Sequence, residues 1–326
     1  MTTRDPTRSL DTRRDDEARL SRRDSLRTVD PRSDAFLSRH ERFRSVPSTN
    51  DIVRTWLTEG TPEVCLAVAG EQTAGRGRAG RSWAAPRGAA LLLSLGFQPA
   101  YVAPDRLWRL TAVVALAMAD AAEEVAGLPI GALRLKWPND IVVEAGGSAA
   151  GLRKLAGVLG ESEGAGTSEV RAVVGIGVNA DWPRDRFPAE LADVMTSLLE
   201  VSHGRPIDAE ALLEAFLVRL EPRVLALRDG HFDVAGWHSR QVTTGRTVLI
   251  EMPDGTADML RAVGVDGATG ALLVEDAAGG ERELLVGEVA HVRLASGGDD
   301  AGVNHGAGSA PEARVAVDSG GRGVTQ

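Results

Sequence analysis

The chain has 326 residues, 43% of them hydrophobic, enough for one large domain and a small second one. Its formal charge of -9 argues against wholesale binding to a phosphate backbone. A single cysteine, Cys65, excludes an internal disulfide and a cysteine-based zinc cage, and no apolar run approaches the roughly 20 residues that span a bilayer.

In chain order, residues 1 to 34 interleave Arg and Asp with almost no large apolar side chain, a composition that predicts disorder. There is no signal-peptide core, so a cytoplasmic location is expected. Residues 47 to 50, PSTN, precede a helical pattern, DIVRTWL. VCLAVA, residues 64 to 69, is a buried strand with Cys65 as an inert thiol within it. A long loop follows, then the strand ALLLSLGF. Residues 105 to 127 carry Leu, Val and Ala at helical spacing and end on Gly127, making this the clearest helix. ALRLKW, IVVE, LAGVLGE and VRAVVGIGVNA read as strands, the last as the central one. Residues 207 to 228 form an amphipathic helix that Pro222 is expected to bend or break. From Phe232 the texture changes to short strands separated by DG and GG turns, the pattern of a small barrel, and residues 295 to 326 again predict disorder. Strands without regular helix alternation predict an α+β fold with a mixed sheet. The expected units are a disordered extension (1–34), a catalytic domain (35–231), a small β-domain (232–294) and a tail (295–326). The segment GGSAAGL before Arg153 reads as a long hairpin loop to which the sequence assigns no role.

The letters GRGRAG, residues 75 to 80, match a dinucleotide-binding turn. The context does not: five residues separate the strand from Gly75, and Pro86 and Gly88 oppose the helix that should follow. In GEQTAGRGRAGRSW, alternating Gly and Arg instead gives close backbone approach and cationic forks suited to carboxylate or phosphate. A solvated surface loop is the competing reading. In KWPND, Lys136, Asn139 and Asp140 form either a nucleotide corner or an ordinary Asn-Asp turn over Trp137. In RKLAGVLGE, Lys154 precedes small residues Ala156 and Gly157, against which a flat ligand can lie. Asn179 closes an apolar strand in GIGVN. Ser48, Thr49 and Asn50 serve as a helix cap, as ligand hydrogen-bonding groups, or as both. Only two of the 37 basic residues are lysines, Lys136 and Lys154. Coding bias sets that background; against it, the surviving lysines mark places that need a compact point charge rather than a planar fork.

In this order, STN, EQTAGRGRAGRSW, KWPND, RKLAGVLGE and GIGVN resemble the biotin protein ligases (biotin–acetyl-CoA-carboxylase ligases), over residues 45 to about 294. The resemblance implies a catalytic domain of the class II synthetase and biotin ligase type with a C-terminal SH3-like domain. It implies activation of biotin by ATP to biotinyl-5′-AMP, then transfer to a lysine of a biotin carboxyl carrier protein or carrier domain. By carry-over, Ser48, Thr49, Asn50, Gln72, Gly75, Arg76, Gly77, Arg78, Lys154 and Gly157 meet biotin, and Arg78, Arg81, Trp83, Lys136, Asn139 and Asn179 meet ATP. Lys154, Arg78 and Asp140 are the catalytic candidates, Asp140 as base of the second step. No protein cage for a metal is expected; Mg²⁺ arrives on ATP, with Asn139 nearby. Repressor-type members carry an N-terminal DNA-binding domain, whereas residues 1 to 34 lack one, so neither nucleic acid nor membrane is an expected partner; a weak homodimer is compatible with the resemblance. The competing functions are a lipoate or octanoyl ligase-transferase of the same fold, a non-catalytic biotin-binding module and a nicotinamide dehydrogenase.

Overall fold

A computed structural model describes residues 36–144, 151–285 and 291–294. The 1–34 extension, the 295–326 tail and most of the GGSAAGL loop lie outside the described residues. The first sheet has seven strands: β1 Arg39–Phe43, β2 Cys65–Ala69, β3 Ala90–Phe97, β4 Leu133–Lys136, β5 Asp140–Glu144, β6 Leu152–Glu163 and β7 Arg171–Asn179. Their spatial order is β1-β2-β3-β7-β6-β5-β4, with β1 parallel to β2 and every other neighbouring pair antiparallel. β7 is central, as its apolar run requires.

Both faces of the sheet are covered. One carries the Thr49–Thr58 helix, whose Val53, Trp56 and Leu57 pack with Cys65, Ala67 and Val173. That helix lies close because Gly96 has no side chain: a Cβ there would sit 2.5 Å from Cys65 Sγ and 2.7 Å from Val53 Cγ1. Burial raises the Cys65 thiol pKa to about 11, so it stays an unreactive thiol. The other face carries the Trp108–Ala126 and Ala209–Arg228 helices. The first ends on Gly127 in the left-handed conformation, as a helix-terminal glycine should. The second runs through Pro222 without the break that was one of its two expected effects. Pro222 lies on the solvent side, as does Val218 four residues earlier, so water can satisfy the carbonyl that loses its partner, while Phe216, Leu220 and Val224 hold the inner face. β1 was not foreseen: its sequence, RHERF, has no apolar alternation, and Phe43 alone turns a ring toward Trp56, 6.2 Å away.

A second, antiparallel sheet holds β8 Thr247–Glu251, β9 Ala257–Val265, β10 Leu272–Glu275, β11 Glu281–Leu284 and β12 His291–Leu294, in the order β11-β10-β9-β8-β12. The chain between the sheets is stitched to the edge strand of the first. Leu135 N donates to Arg240 O at 2.7 Å, and Val242 N to Leu135 O at 2.9 Å. Trp137 binds the second sheet through its indole, Nε1 to Gly270 O at 2.9 Å, and its backbone N donates to Thr243 Oγ1 at the same distance. Trp108 and Trp237 pack beside this seam, ring centroids 4.7 Å apart.

A buried charge network secures the seam. Arg240, 8% exposed, donates to both carboxylate oxygens of Glu123, 3% exposed, at 2.7 and 2.9 Å, and to Asp120 Oδ1 at 2.5 Å. Burial pushes the Glu123 carboxyl up, but hydrogen bonds from Arg240 and from the Leu133 backbone outweigh it and leave the pKa below its ordinary value. This contribution is therefore present above the unfolded carboxyl pKa and is lost as pH falls through the folded one. Glu123→Ala removes the two-pronged partner of a buried guanidinium, leaving it Asp120 and the Leu133 carbonyl, and should lower the unfolding free energy by about 2–4 kcal/mol in denaturant titration. Arg282→Ala, which breaks the exposed pair with Asp258, should cost less than about 1 kcal/mol in the same experiment.

Candidate functional site

The site forms where β6 and β7 run out from beneath the 70–83 loop. GIGVN alternates: Ile176 and Val178 face the core, and Gly175, Gly177 and Asn179 face outward to a cavity of about 300 Å³. Gly157 on β6 is paired with Gly177. On this bare floor lies Trp83: a Cβ at Gly177 would be 2.5 Å from the indole and one at Gly157 3.1 Å from it. Gly175 likewise leaves room for Asn50, whose Oδ1 would stand 2.2 Å from an added Cβ.

Lys154 shares this face with Gly157, although they are three positions apart and strict alternation would place them on opposite faces. A β-bulge resolves the parity: Ile141 pairs with Ala156 but Val142 with Lys154, leaving Leu155 as the extra residue, so Leu155 and Ala156 both enter the core. The backbone of Lys154 is clamped by N–H to Val194 O at 2.8 Å and by its carbonyl to Thr196 N at 2.9 Å. Its ammonium lies 2.7 Å from Asp140 Oδ1 and 5.3 Å from the centre of the Trp83 ring.

The cavity gathers Ser48, Thr49, Asn50, Gln72, Arg76, Gly77, Arg78, Arg81 and Trp83 from the first third of the chain, and Asn139, Lys154, Gly157 and Asn179 from the middle. At one end Gln72 Oε1 accepts from Thr49 N at 2.7 Å and Thr49 Oγ1 at 3.0 Å, and Ser94 Oγ lies 2.6 Å from both Thr49 Oγ1 and Asn50 Oδ1. Ser48 occupies the helix N-cap position, yet its hydroxyl makes no capping bond; it lines the cavity instead. Asn139 and Asn179 spend their Nδ2 donors on Val158 O and Thr196 O, at 2.8 and 2.9 Å, which fixes how their amides stand at the wall.

Three expected site residues fall outside the cavity lining. Gly75 is buried behind it, and a Cβ there would be 2.3 Å from Trp83 O. Lys136 and Asp140 line an adjoining hollow of about 40 Å³ together with Asn139, facing each other across β4 and β5. Burial, reinforced by Lys154 and Arg81 against the pull of Asp140, lowers the Lys136 ammonium pKa. Burial and neighbouring Arg81 do the same to Arg78. Arg76 differs, its guanidinium being bound to Asp51 and Glu161 at the cavity rim.

Gly175, Gly177, Trp182, Leu191, Val194 and Met195 also line the cavity and were not foreseen. The period-two alternation of GIGVN was signal enough for the two glycines; the 182–195 loop carries no comparable pattern. The dinucleotide-turn reading fails on geometry: residues 78 to 80 make a single 3-10 turn in which Ala79 has a positive φ of 52°, and no α-helix opens there. Among the described residues no cluster of His, Cys, Asp and Glu could cage a metal, and no helix is long and apolar enough to cross a membrane. Gly177→Ala should lift Trp83 from its seat. Acrylamide quenching of tryptophan fluorescence should then rise while the thermal midpoint stays within about 5 °C of the parent.

Residues 42–179 match the biotin/lipoate A/B protein ligase family. The chain is 32% identical over 230 residues to a biotin–[acetyl-CoA-carboxylase] ligase of Mycobacterium tuberculosis, covering 70% of this chain and 79% of that one. It is also 32% identical over 233 residues to the bifunctional ligase/repressor BirA of Bacillus spizizenii, covering 71% and 67%. Among solved structures it resembles the Aquifex aeolicus biotin protein ligase in complex with biotin and ATP, with a TM-score of 0.64 and 26% identity over 79% of this chain and 99% of that one. With this identity extending across most of its relatives, and with the five motifs converging on one cavity, the chain belongs to the biotin protein ligase family.

Proposed function

We propose that this enzyme activates biotin with ATP to biotinyl-5′-AMP and pyrophosphate, then transfers the biotinyl group to a lysine of a biotin carboxyl carrier protein or carrier domain. The observation that carries the reading is the meeting of Arg78 and Lys154, from stretches some 75 residues apart, in one cavity that also presents the Thr49–Gln72 hydrogen-bonding set. A volume of about 300 Å³ lies at the lower edge of the range for small-molecule pockets.

In the first step a carboxylate oxygen of biotin attacks the α-phosphorus of ATP and pyrophosphate leaves. Two anions must meet, so fixed cations supply the largest part of the barrier reduction. Arg78 and Lys154 hold the carboxylate and α-phosphate, and Arg81 extends the positive wall. The polar end, Ser48, Thr49, Asn50 and Gln72, takes the ureido ring, with Gly157 beneath it. Trp83 and Asn179 bound the adenine side; Trp83 Nε1–H, buried and without a partner among the described residues, is a donor such a ligand can use. Lys136 and Asn139 stand on the phosphate side. Magnesium suits this donor set only as an ion carried in by nucleotide phosphates, with the Asn139 amide as a neighbouring oxygen. In the second step the carrier's ammonium must lose a proton before its nitrogen attacks the acyl carbon and AMP departs. Asp140 is the candidate base, and its pair with Lys154 has to loosen before it can accept that proton. The glycine-arginine loop roofs the adenylate against water. The second sheet has the size and strand count of an SH3-like domain, and we assign it as one.

Purified protein with ATP, Mg²⁺, labelled biotin and a carrier domain should place label on the carrier lysine. Lys154→Ala should cut that rate by roughly 10²-fold or more. Lys154→Arg, which keeps the charge but not its compact shape, should retain less than about a tenth of it. Parental ligation by Lys154→Arg would defeat the point-charge assignment, and no label on carrier from the parent would defeat the ligase reading.

A further inference from the structure

The pairing of β6 with β7 stops at Ala156, so at Lys154 the central strand no longer flanks the backbone. Residues 194 to 196 take its place there: Lys154 N donates to Val194 O at 2.8 Å, and Thr196 N to Lys154 O at 2.9 Å. The carbonyl of Thr196, a residue 1% exposed, also accepts from Asn179 Nδ2 at 2.9 Å. One buried residue thus sets both the backbone of a cavity lysine and the amide that ends β7. Its hydroxyl donates to Glu200 Oε2 at 2.7 Å. The other oxygen of that carboxylate accepts from the Arg153 guanidinium at 3.0 Å and from that of Arg184 at 2.7 Å. Glu200 therefore joins β6, at the residue before Lys154, to the segment that flanks it.

By pattern, Ser197 to Glu200 would have a smaller task. The spacing is that of a capping box, in which the acidic side chain returns to the backbone N–H of the cap residue. Half of the box forms, Glu200 N donating to Ser197 Oγ at 3.2 Å. The carboxylate goes to Thr196 and the two arginines instead, so capping the Leu198–Val201 turn does not account for it. The segment has other supports: Ser197 Oγ donates to Trp182 O at 2.6 Å, Leu199 N to Ala180 O at 3.0 Å, and Met195 packs with Trp182 and Phe187. Arg184 also stands 3.7 Å from exposed Asp193. All of these fasten 194–199 to the stretch that follows β7 or to itself. The polar ties across to β6 at this point are the two backbone bonds at Lys154 and the pair between Glu200 and Arg153. A charged acceptor makes the stronger hydrogen bond, and with side chains only about one-fifth exposed the pair is less screened than one in open solvent.

We propose that Glu200 is a positioning residue: through the Thr196 hydroxyl and Arg153 it holds the junction at which the Lys154 backbone and the Asn179 amide are set. The consequence for ATP rests on the ligase reading above; the hold on the junction does not. Full-length Glu200→Ala is compared with the parent by hydrogen exchange without added ligand, resolved to single amides. Exchange at Lys154 and Thr196 should accelerate about fivefold or more, while amides of the paired strands β3 and β7 keep their parental rates. In carrier biotinylation the ATP KM should rise about five- to tenfold and the biotin KM no more than about twofold, because the Thr49–Gln72 set stands on other elements. Thr196→Val, which removes the hydroxyl at nearly constant volume, should move both readouts in the same direction. Thr196→Ser, which keeps the hydroxyl, should stay near the parent. If Glu200→Ala exchanges faster throughout the chain, Thr196→Val decides in its place. Parental exchange at Lys154 and Thr196 overturns the proposal, as does faster exchange there with the ATP KM unchanged or with both KM values raised alike. A parent that neither binds nor ligates biotin defeats the ligase reading, and the exchange rates still decide the junction.

Discussion

The indole of Trp83 lies flat on the two central strands because Gly157 and Gly177, paired directly across β6 and β7, carry no Cβ. Much of the site follows from that contact. The tryptophan draws the end of a 20-residue connection between β2 and β3 down onto the sheet, and the arginines just ahead of it come to face the lysine on β6. Side chains at those two glycines would push the indole off the strands and the loop with it. The ammonium of Lys154, 5.3 Å from the ring centre, then lies against the electron-rich face of the tryptophan rather than in open water.

The distribution of charge around the cavity is uneven in a useful way. Arg78 in the cavity and Lys136 in the adjoining hollow are partly desolvated and stand near other cations, and this is why their pKa values are lowered. Such an arrangement is relieved by any anion placed among the cations. Cations at the rim are instead matched by carboxylates, as Arg76 and Arg54 are by Asp51 and Glu161. Arginines of one motif thus stand in two settings, Arg78 at the cavity wall and Arg76 paired with carboxylates at the rim.

Much of this was readable from residue order. The buried strands β2, β3 and β7 announce themselves by continuous apolar runs, the Trp108–Ala126 helix by its spacing and terminal glycine, and the cavity by five motifs whose residue types suit anion chemistry. Other features left no mark that periodicity could detect. β1 is an edge strand of charged residues, held by backbone pairing to β2 and by Phe43 and the Arg39 guanidinium against Trp56. The Leu155 bulge reverses the alternation of β6, so Lys154 faces the cavity against the parity of its strand. The engagement of Arg76 depends on Asp51 and Glu161, 25 residues before it and 85 after, a coincidence in space that a linear motif does not record. Pro222 was expected from its own chemistry to bend or break its helix, and the helix stays unbroken because of which face the proline occupies.

Leu135 and Trp137 receive hydrogen-bonding partners from residues 240 to 243 and from Gly270, so the corner that holds Lys136, Asn139 and Asp140 is completed from the far end of the chain. The smaller sheet is therefore no detachable appendage. A protein cut before residue 240 would keep every motif by which this family is recognised and yet strip the Leu135–Trp137 corner of its partners, so shortening the chain at an apparent boundary would loosen the corner without deleting any residue in it.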